Sequence, residues 1–299
     1  MAGSMVDTPR SRVAAPRRVG TRSDGMRRPR PQIGRHALLL VLALFTLFPV
    51  LLVISTTLKT PEDVRVNPFG FFSTFSLQNI VDAWTVGRFS DYLWNSILLT
   101  VPSTLFVVLF STMAGYTFAR LPFRGRTILF YIVVLGLLVP FFTYMIPLYF
   151  QLRSMGLLDT LLGAVLLLTS GGLSFGTFFM RAFFSDLPVE LEQAARVDGA
   201  SELQIFLRVM MPLARSGMGA LAVFTFLGNW NNFLIPLLYL PGGDFRPLTS
   251  GLYMFTGGRS LDIGPLAAGT LITILPVIVL FIVLQRQVTQ GFLAGAVKG

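Results

Sequence analysis

Residues 185–213 read SDLPVELEQAARVDGASELQIFLRVMMPL. The segment is too polar to cross a bilayer and too regular to be a linker. Asp186 is placed to cap a helix with Pro188 in its first turn, where a missing N–H costs little. Glu190 and Glu192 then lie near the positive end of that helix's dipole. Glu192 and Arg196 are four apart, acid first, the favourable order for a side-chain pair. Gly199 supplies the positive φ that ends a helix. Ser201, with Gln204 three residues on, spells a capping box that opens a second helix. That helix carries Leu203, Ile205, Phe206, Val209 and Met210 until Pro212 stops it. The spacing predicts a helix, a glycine turn and a helix. Ala194, Ala195 and Ala200 flank the turn, so another surface can come close to the backbone there. An amphipathic hairpin resting on a membrane or on the protein's own helix ends is the plainer alternative.

On either side of this segment lie apolar runs of the length, about 20 residues, that a bilayer core of about 30 Å demands of a helix. Six are legible, at 37–57, 93–119, 127–150, 160–180, 217–240 and 263–284, and none contains Asp, Glu, Lys or Arg. The chain is 53% hydrophobic and 13% charged, about half the charge of an ordinary soluble domain. The expected class is therefore an all-α integral membrane protein. The first run is too long for a signal-peptide core and lacks an A-x-A exit, so it is expected to remain as a span.

Basic residues set the orientation. With the N-terminus in the cytoplasm, the inside segments 1–36, 120–126, 181–216 and 285–299 hold 9, 3, 4 and 2 basic residues, against 6 outside. Both termini are expected in the cytoplasm, with residues 185–213 on the same face. The net charge of +10 is concentrated in residues 1–35, where nine arginines and four prolines face two aspartates. This tail reads as disordered. It reads as an extension that holds the first helix end inside, in preference to a nucleic-acid or anionic-lipid arm, and no nucleic-acid partner is expected. The expected organisation is the tail at 1–35, a first span and outer loop at 36–90, and a five-helix core at 91–299 holding the loop 185–213.

Several chemistries are excluded. The chain has no cysteine and one histidine, His36, too few for a zinc site or a conventional catalytic triad. All fourteen acidic residues lie outside the six runs, whereas ion-coupled carriers keep ionisable groups inside the membrane. No G-x-x-x-x-G-K-[ST] pattern is present, so the chain does not cradle ATP phosphates by itself. No catalytic, metal or cofactor site is expected.

The segment 185–213 resembles the EAA loop of ABC-transporter permeases, whose pattern is E-A-A, three residues, G, nine residues, then I-x-L-P. Here those positions read Gln193, Ala194, Ala195, Gly199, Val209, Met211 and Pro212. The fuller form VELEQAARVDGAS looks like the importers for carbohydrates. PLYFQLRSMGLLDT at 147–160, FTFLGNWNNFLIPL at 224–237 and GFLAGAVKG at 291–299 are similar to the maltose-type permeases, so the likeness covers roughly 90–299 and, more weakly, the first span.

The resemblance implies an importer of a sugar or oligosaccharide in the bacterial inner membrane. It would have two permease subunits, a dimer of separate ATPases that bind ATP and Mg, and an extracytoplasmic solute-binding protein. The coupling residues it implies are Glu192, Gln193, Ala194, Ala195, Asp198, Gly199, Ala200 and Pro212. The family glutamate is Gln193 here, which keeps hydrogen bonding and gives up ion pairing. Asn229, Trp230, Asn231 and Asn232 interrupt the fifth run. Amides and an indole face suit a sugar, which makes Trp230, Asn231 and Asn232 candidates for the substrate path, though bonding between helices is the plainer reading. Likewise Ser170, Gly171, Gly172 and Gly176 read as a hinge or, more plainly, as close packing. Alternatives are an importer for another polar solute, such as a polyol or glycerol phosphate, and a facilitator that needs no ATP.

Overall fold

The computed structural model describes residues 33–256 and 262–296. The arginine-rich tail up to residue 32, residues 257–261 with Gly257 and Gly258, and the last three residues lie outside that range. Every regular element among the described residues is helical. In order these are α1 (Ile33–Thr57), α2 (Pro61–Val66), α3 (Gln78–Thr85), α4 (Phe89–Arg120), α5 (Arg126–Leu135), α6 (Phe141–Ser154), α7 (Leu161–Asp186), α8 (Glu190–Val197) and α9 (Glu202–Ile205). A π-helical turn over Phe206–Met210 leads into α10 (Met211–Leu213), α11 (Arg215–Trp230), α12 (Leu234–Tyr239), α13 (Leu248–Thr256) and α14 (Ile263–Ala296).

The chain divides into two units, residues 1–47 and 48–299. The described part of the first is the leading stretch of α1, whose leucine, valine and phenylalanine side chains are exposed. The second unit is organised around α4 and α7. Ser103, Val107, Ser111 and Gly115 recur every four residues on α4, and Gly172, Gly176 and Met180 do so on α7. Rows at this spacing form the ridges by which helices interdigitate. A β-carbon on Gly115 would stand 2.6 Å from Met180 Cβ and 2.8 Å from the Arg181 backbone nitrogen. One on Gly176 would stand 2.2 Å from Ser111 Oγ. Without hydrogens in their place the two backbones could not approach this closely, which is how small residues join helices in lipid. Four buried hydroxyls are satisfied within their own helices: Ser103, Thr112, Thr169 and Thr273 each donate to the carbonyl four residues back. In a bilayer that local bond removes the cost of an unpaired donor.

Four described helices are long and apolar enough to cross a membrane: Gly34–Thr57, Phe89–Arg120, Leu161–Asp186 and Ile263–Val283. The other two expected runs are broken. Run 127–150 is α5 and α6, separated at Gly136–Pro140. Pro140 has no N–H, and its ring disfavours the helical conformation at Val139. The helix restarts after Pro140 and continues through Pro147. Run 217–240 stops at Trp230 and resumes at Leu234. The helix of that run starts earlier, and the pair Glu202–Leu213 and Arg215–Trp230 is bent by 71°.

Candidate functional site

The polar segment departs from its sequence pattern at its two ends. Asp186 is the last residue of α7, and the residue at the N-cap of α8, which begins at Glu190, is Val189, whose side chain caps nothing. Pro212 does not stop the second helix. The Met211 N–H reaches back to the Phe206 carbonyl in a widened turn, Pro212 follows within α10, and the chain bends at the buried Ala214. A π turn of this kind accommodates a residue that breaks the ordinary ladder. Between the ends, Gly199 has φ of +79°. Ser201 and Gln204 exchange both capping-box bonds, with Ser201 N–H to Gln204 Oε1 at 2.9 Å.

Charge holds this segment to the helical core. Glu192 is only 2% exposed. Its Oε1 lies 3.2 Å from Arg120 Nε, and its Oε2 lies 3.7 Å from Arg196. Arg196 also grips Glu202 through two bonds, of 2.9 and 3.2 Å, so it ties α8 to α9. Arg120 aims its own N–H groups at the end of α7, where Phe184 O accepts at 3.0 Å and Leu187 O accepts a second bond. The Glu192 Oε1 therefore has an ionic neighbour without an aligned hydrogen bond. Burial raises the Glu192 carboxyl above the usual carboxylate range, against the opposing pull of Arg120 and Arg196. Hydrogen bonding to Glu202 raises Arg196 above its ordinary value. Beneath the pair, Tyr116 packs its ring against Phe184 and Phe206, with centroids 5.6 and 5.0 Å apart.

Ile205, Phe206 and Met210 are buried with this cluster, and most residues around the turn face outward. Gln193, Ala194, Asp198 and Gly199 are exposed, Ala195 and Ala200 are half-buried against the cluster of Met180, Phe184 and Met210, and Val197 is 88% exposed. A β-carbon at Gly199 would touch nothing in this chain. The loop thus presents a free face of small and apolar groups. Glu192 does not belong to that face, because its charge is spent on Arg120 and Arg196. Arg120 was not legible as a site residue. Its only signal was a basic residue at the end of an apolar run.

A second feature is a cavity of about 740 Å³ between α6, α7 and the break after α11. Phe141, Tyr144, Phe175, Phe224 and Phe233 supply aromatic surface, and Asn229, Asn231 and Asn232 supply amides. Gly171 and Gly228 line it too, and neither has a neighbour within 4 Å of where a β-carbon would sit. Ser170 and Gly172 join the wall, whereas Gly172 and Gly176 also face α4. Trp230 is placed elsewhere. It is buried, its indole N–H donates to Thr273 O at 3.1 Å, and its ring stacks on Phe226. Phe224, Thr225, Gly228 and Asn229 put one face of α11 on the wall, and Trp230, about 100° further round the helix than Asn229, points away from it. Asn229 Nδ2 donates to Ser103 Oγ at 2.9 Å, a bond between α11 and α4. Asn232 Oδ1 accepts the Ile235 N–H at 3.0 Å and so caps α12. The aromatic wall escaped sequence reading because its members come from four separate segments.

The description "Binding-protein-dependent transport system inner membrane component" matches residues 108–291, which hold both the polar loop and the cavity. The chain belongs to this family. It is thus a transport permease of the inner membrane that crosses the bilayer several times, and the family is one of permeases rather than ATPases. The permease is 34% identical to a diacetylchitobiose uptake permease of Streptomyces coelicolor, over 88% of each chain. It is 38% identical to a permease of Synechocystis for osmoprotective compounds, over 75% of this chain and 76% of that one. Its fold matches a bacterial ABC transporter involved in import of the acidic polysaccharide alginate, with TM-score 0.74, 23% identity, and 85% of this chain and 95% of that one covered.

Proposed function

We propose that this permease is one of two membrane subunits of an ATP-driven importer for a sugar or oligosaccharide. An extracytoplasmic binding protein delivers the solute, and a separate ATPase dimer drives the cycle. One observation carries the reading: the loop α8–Gly199–α9 offers an open face to a partner while Glu192, Arg120 and Arg196 lock its other face to α4 and α7. A pull on such a loop moves the helices rather than the loop alone. Coupling requires that each state of the ATPase hold the loop differently, and Gln193, Ala194, Ala195, Asp198, Gly199 and Ala200 form the contact. ATP and Mg are bound by the partner ATPase.

Six crossings with both termini inside follow if α5 with α6, and α11 with α12, each make one interrupted span. The basic-residue asymmetry supports that orientation. The cavity is the substrate path within this subunit, with Asn231 and Asn232 as hydrogen-bonding groups and the phenyl rings as apolar faces for a pyranose. A sugar is favoured by this wall and by the diacetylchitobiose relative. The osmoprotectant relative favours another polar solute, such as a polyol, as the second reading.

The test is purification of the tagged permease from its native host in mild detergent, followed by reconstitution with and without candidate sugars. Co-purification of a second permease and an ATPase, with hydrolysis stimulated by the loaded binding protein, is the expected outcome. A chain that purifies alone and conducts solute without ATP is a facilitator, and the coupling reading falls.

A further inference from the structure

Between α2 and α3 the chain reads NPFGFFSTF, residues 67–75, four phenylalanines in nine residues. Phe69 and Phe75 are 76% and 75% exposed, and Phe71 and Phe72 are exposed as well. Single exposed apolar side chains are ordinary, whereas a dense cluster of them marks a surface made for lipid or protein.

The segment is nonetheless firmly built. Ser55, buried near the end of α1, accepts the Phe72 N–H at 2.8 Å and donates to Gly70 O at 3.3 Å. Ser76 N–H donates to Leu58 O at 2.7 Å. Asp63 accepts from Ser73 Oγ and, at 2.9 Å, from Thr74 Oγ1. The loop's own hydroxyl groups are thus engaged within the protein, and four phenyl rings stand exposed beside Asn67, Ser73 and Thr74.

The setting indicates the partner. The Phe71 ring lies 5.6 Å from the ring of Phe48. Phe48 stands nine residues before Thr57, the last residue of α1, about 13 Å back along the helix axis. Phe48, Val50 and Leu51 are themselves exposed on a helix apolar enough to cross a membrane. A ring reaching that far back along such a helix shares its depth with acyl chains. The apolar surface of the loop is therefore continuous with the exposed apolar surface of α1.

We propose that residues 67–75 form an aromatic membrane anchor that inserts at the boundary of one leaflet and is pinned to α1 through Ser55. The proposal rests on reading α1 as a transmembrane helix. Phenylalanine suits this depth because it has no polar group to return to the interface, unlike the tryptophan and tyrosine of aromatic belts. The consequence is a fixed depth for the outer end of α1.

The chain has no cysteine, so single-cysteine variants Phe69→Cys and Phe75→Cys can be spin-labelled in the assembled transporter, built with cysteine-free partner subunits. The probe is a nanodisc of phosphatidylethanolamine and phosphatidylglycerol, with oxygen and a water-soluble nickel chelate as relaxants. Phe48→Cys serves as the lipid reference and Glu62→Cys, on an exposed residue, as the water reference. The expected result is an oxygen-to-nickel accessibility ratio at 69 and 75 severalfold above that of Glu62→Cys and close to that of Phe48→Cys. Labels that follow Glu62→Cys overturn the proposal. Labels shielded from both relaxants also overturn it, because a protein partner then covers the loop. If Phe48→Cys itself follows Glu62→Cys, the transmembrane reading of α1 fails, and the anchor fails with it.

Discussion

Arg120, the last residue of α4, lies 3.2 Å from the buried carboxylate of Glu192 on α8 while donating to the carbonyl oxygens of Phe184 and Leu187 at the end of α7. One guanidinium therefore joins both helices of the central pair to the polar loop. The carbonyls it binds are those an α-helix leaves without partners at its C-terminus, so Arg120 acts as a cap as well as a counter-ion. The sequence resemblance directs attention to Gln193, which is exposed and has no such task.

Breaking this joint is expected to be costly. Removing one member of a buried ion pair commonly destabilises by about 3–5 kcal/mol, because the other charge stays buried. Arg120→Ala is expected to lower the thermal midpoint of the purified complex more than Glu192→Ala, since Arg120 also serves two carbonyls. The double variant is expected to be less harmful than the sum of the two single ones. Additive losses would show that the pair is not energetically coupled.

Burial raises the Glu192 carboxyl, so the native loop binds its proton more tightly than the unfolded chain does. Stability from this group is thus fully present below the ordinary carboxyl value of 4.5 and is lost as pH rises through the raised native value. Glu192→Gln removes the titration. The midpoint of the native protein minus that of Glu192→Gln is expected to fall from pH 4.5 towards neutrality. A flat difference contradicts the assignment.

Gly199 has φ of +79° and open space where a β-carbon would point. A side chain there meets only the backbone penalty of about 1–2 kcal/mol, which asparagine bears better than other residues. Gly199→Asn is expected to keep more ATP-driven uptake than Gly199→Val at matched subunit levels. Gly199→Asp has the shape of asparagine plus a charge. That charge stands beside Asp198 at the C-terminal end of α8, where the helix dipole disfavours it, so the coupling role predicts a loss of uptake beyond that of Gly199→Asn that a matched thermal midpoint does not explain.

Two glycines of the central helices are expected to separate stability from transport. Gly115→Ala places a β-carbon against the backbone of α7 and is expected to destabilise by about 1–3 kcal/mol, as overpacking does. Gly171→Ala meets nothing within 4 Å and lines the cavity. Its expected effect is a raised KM for uptake with an unchanged thermal midpoint.

The residues flanking the break after α11 divide in the same way. Trp230→Phe deletes the bond to Thr273 O, outside the cavity wall, and is expected to cost about 1 kcal/mol of stability with little change in KM. Phe175→Ala and Asn231→Ala, on the wall, are expected to raise KM severalfold in uptake assays. Equal KM effects from all three would remove the cavity from the substrate path.

Helical class, membrane residence, the Gly199 turn and the Ser201–Gln204 cap were all legible in the chain, because each depends on neighbours within a few residues or on a long run of apolar composition. The family likeness rested on such local patterns too. Element ends were read less well: Asp186 went to α7, and Pro212 was absorbed by a π turn, because the packing of Ala214 and Met210 decides how the chain leaves the loop. The strut between Arg120 and Glu192, the cavity wall and the turning away of Trp230 were not legible. Arg120 and Glu192 are separated in sequence by α5, α6 and α7, and no local propensity records which charges meet. Sequence by itself determined the long apolar helices and the helix, turn and helix of the polar loop, but not the breaks at residues 136–140 and after Trp230. Only the tertiary structure decided their partners, since close approach through Gly115, Gly172 and Gly176 sets which faces of α4 and α7 meet.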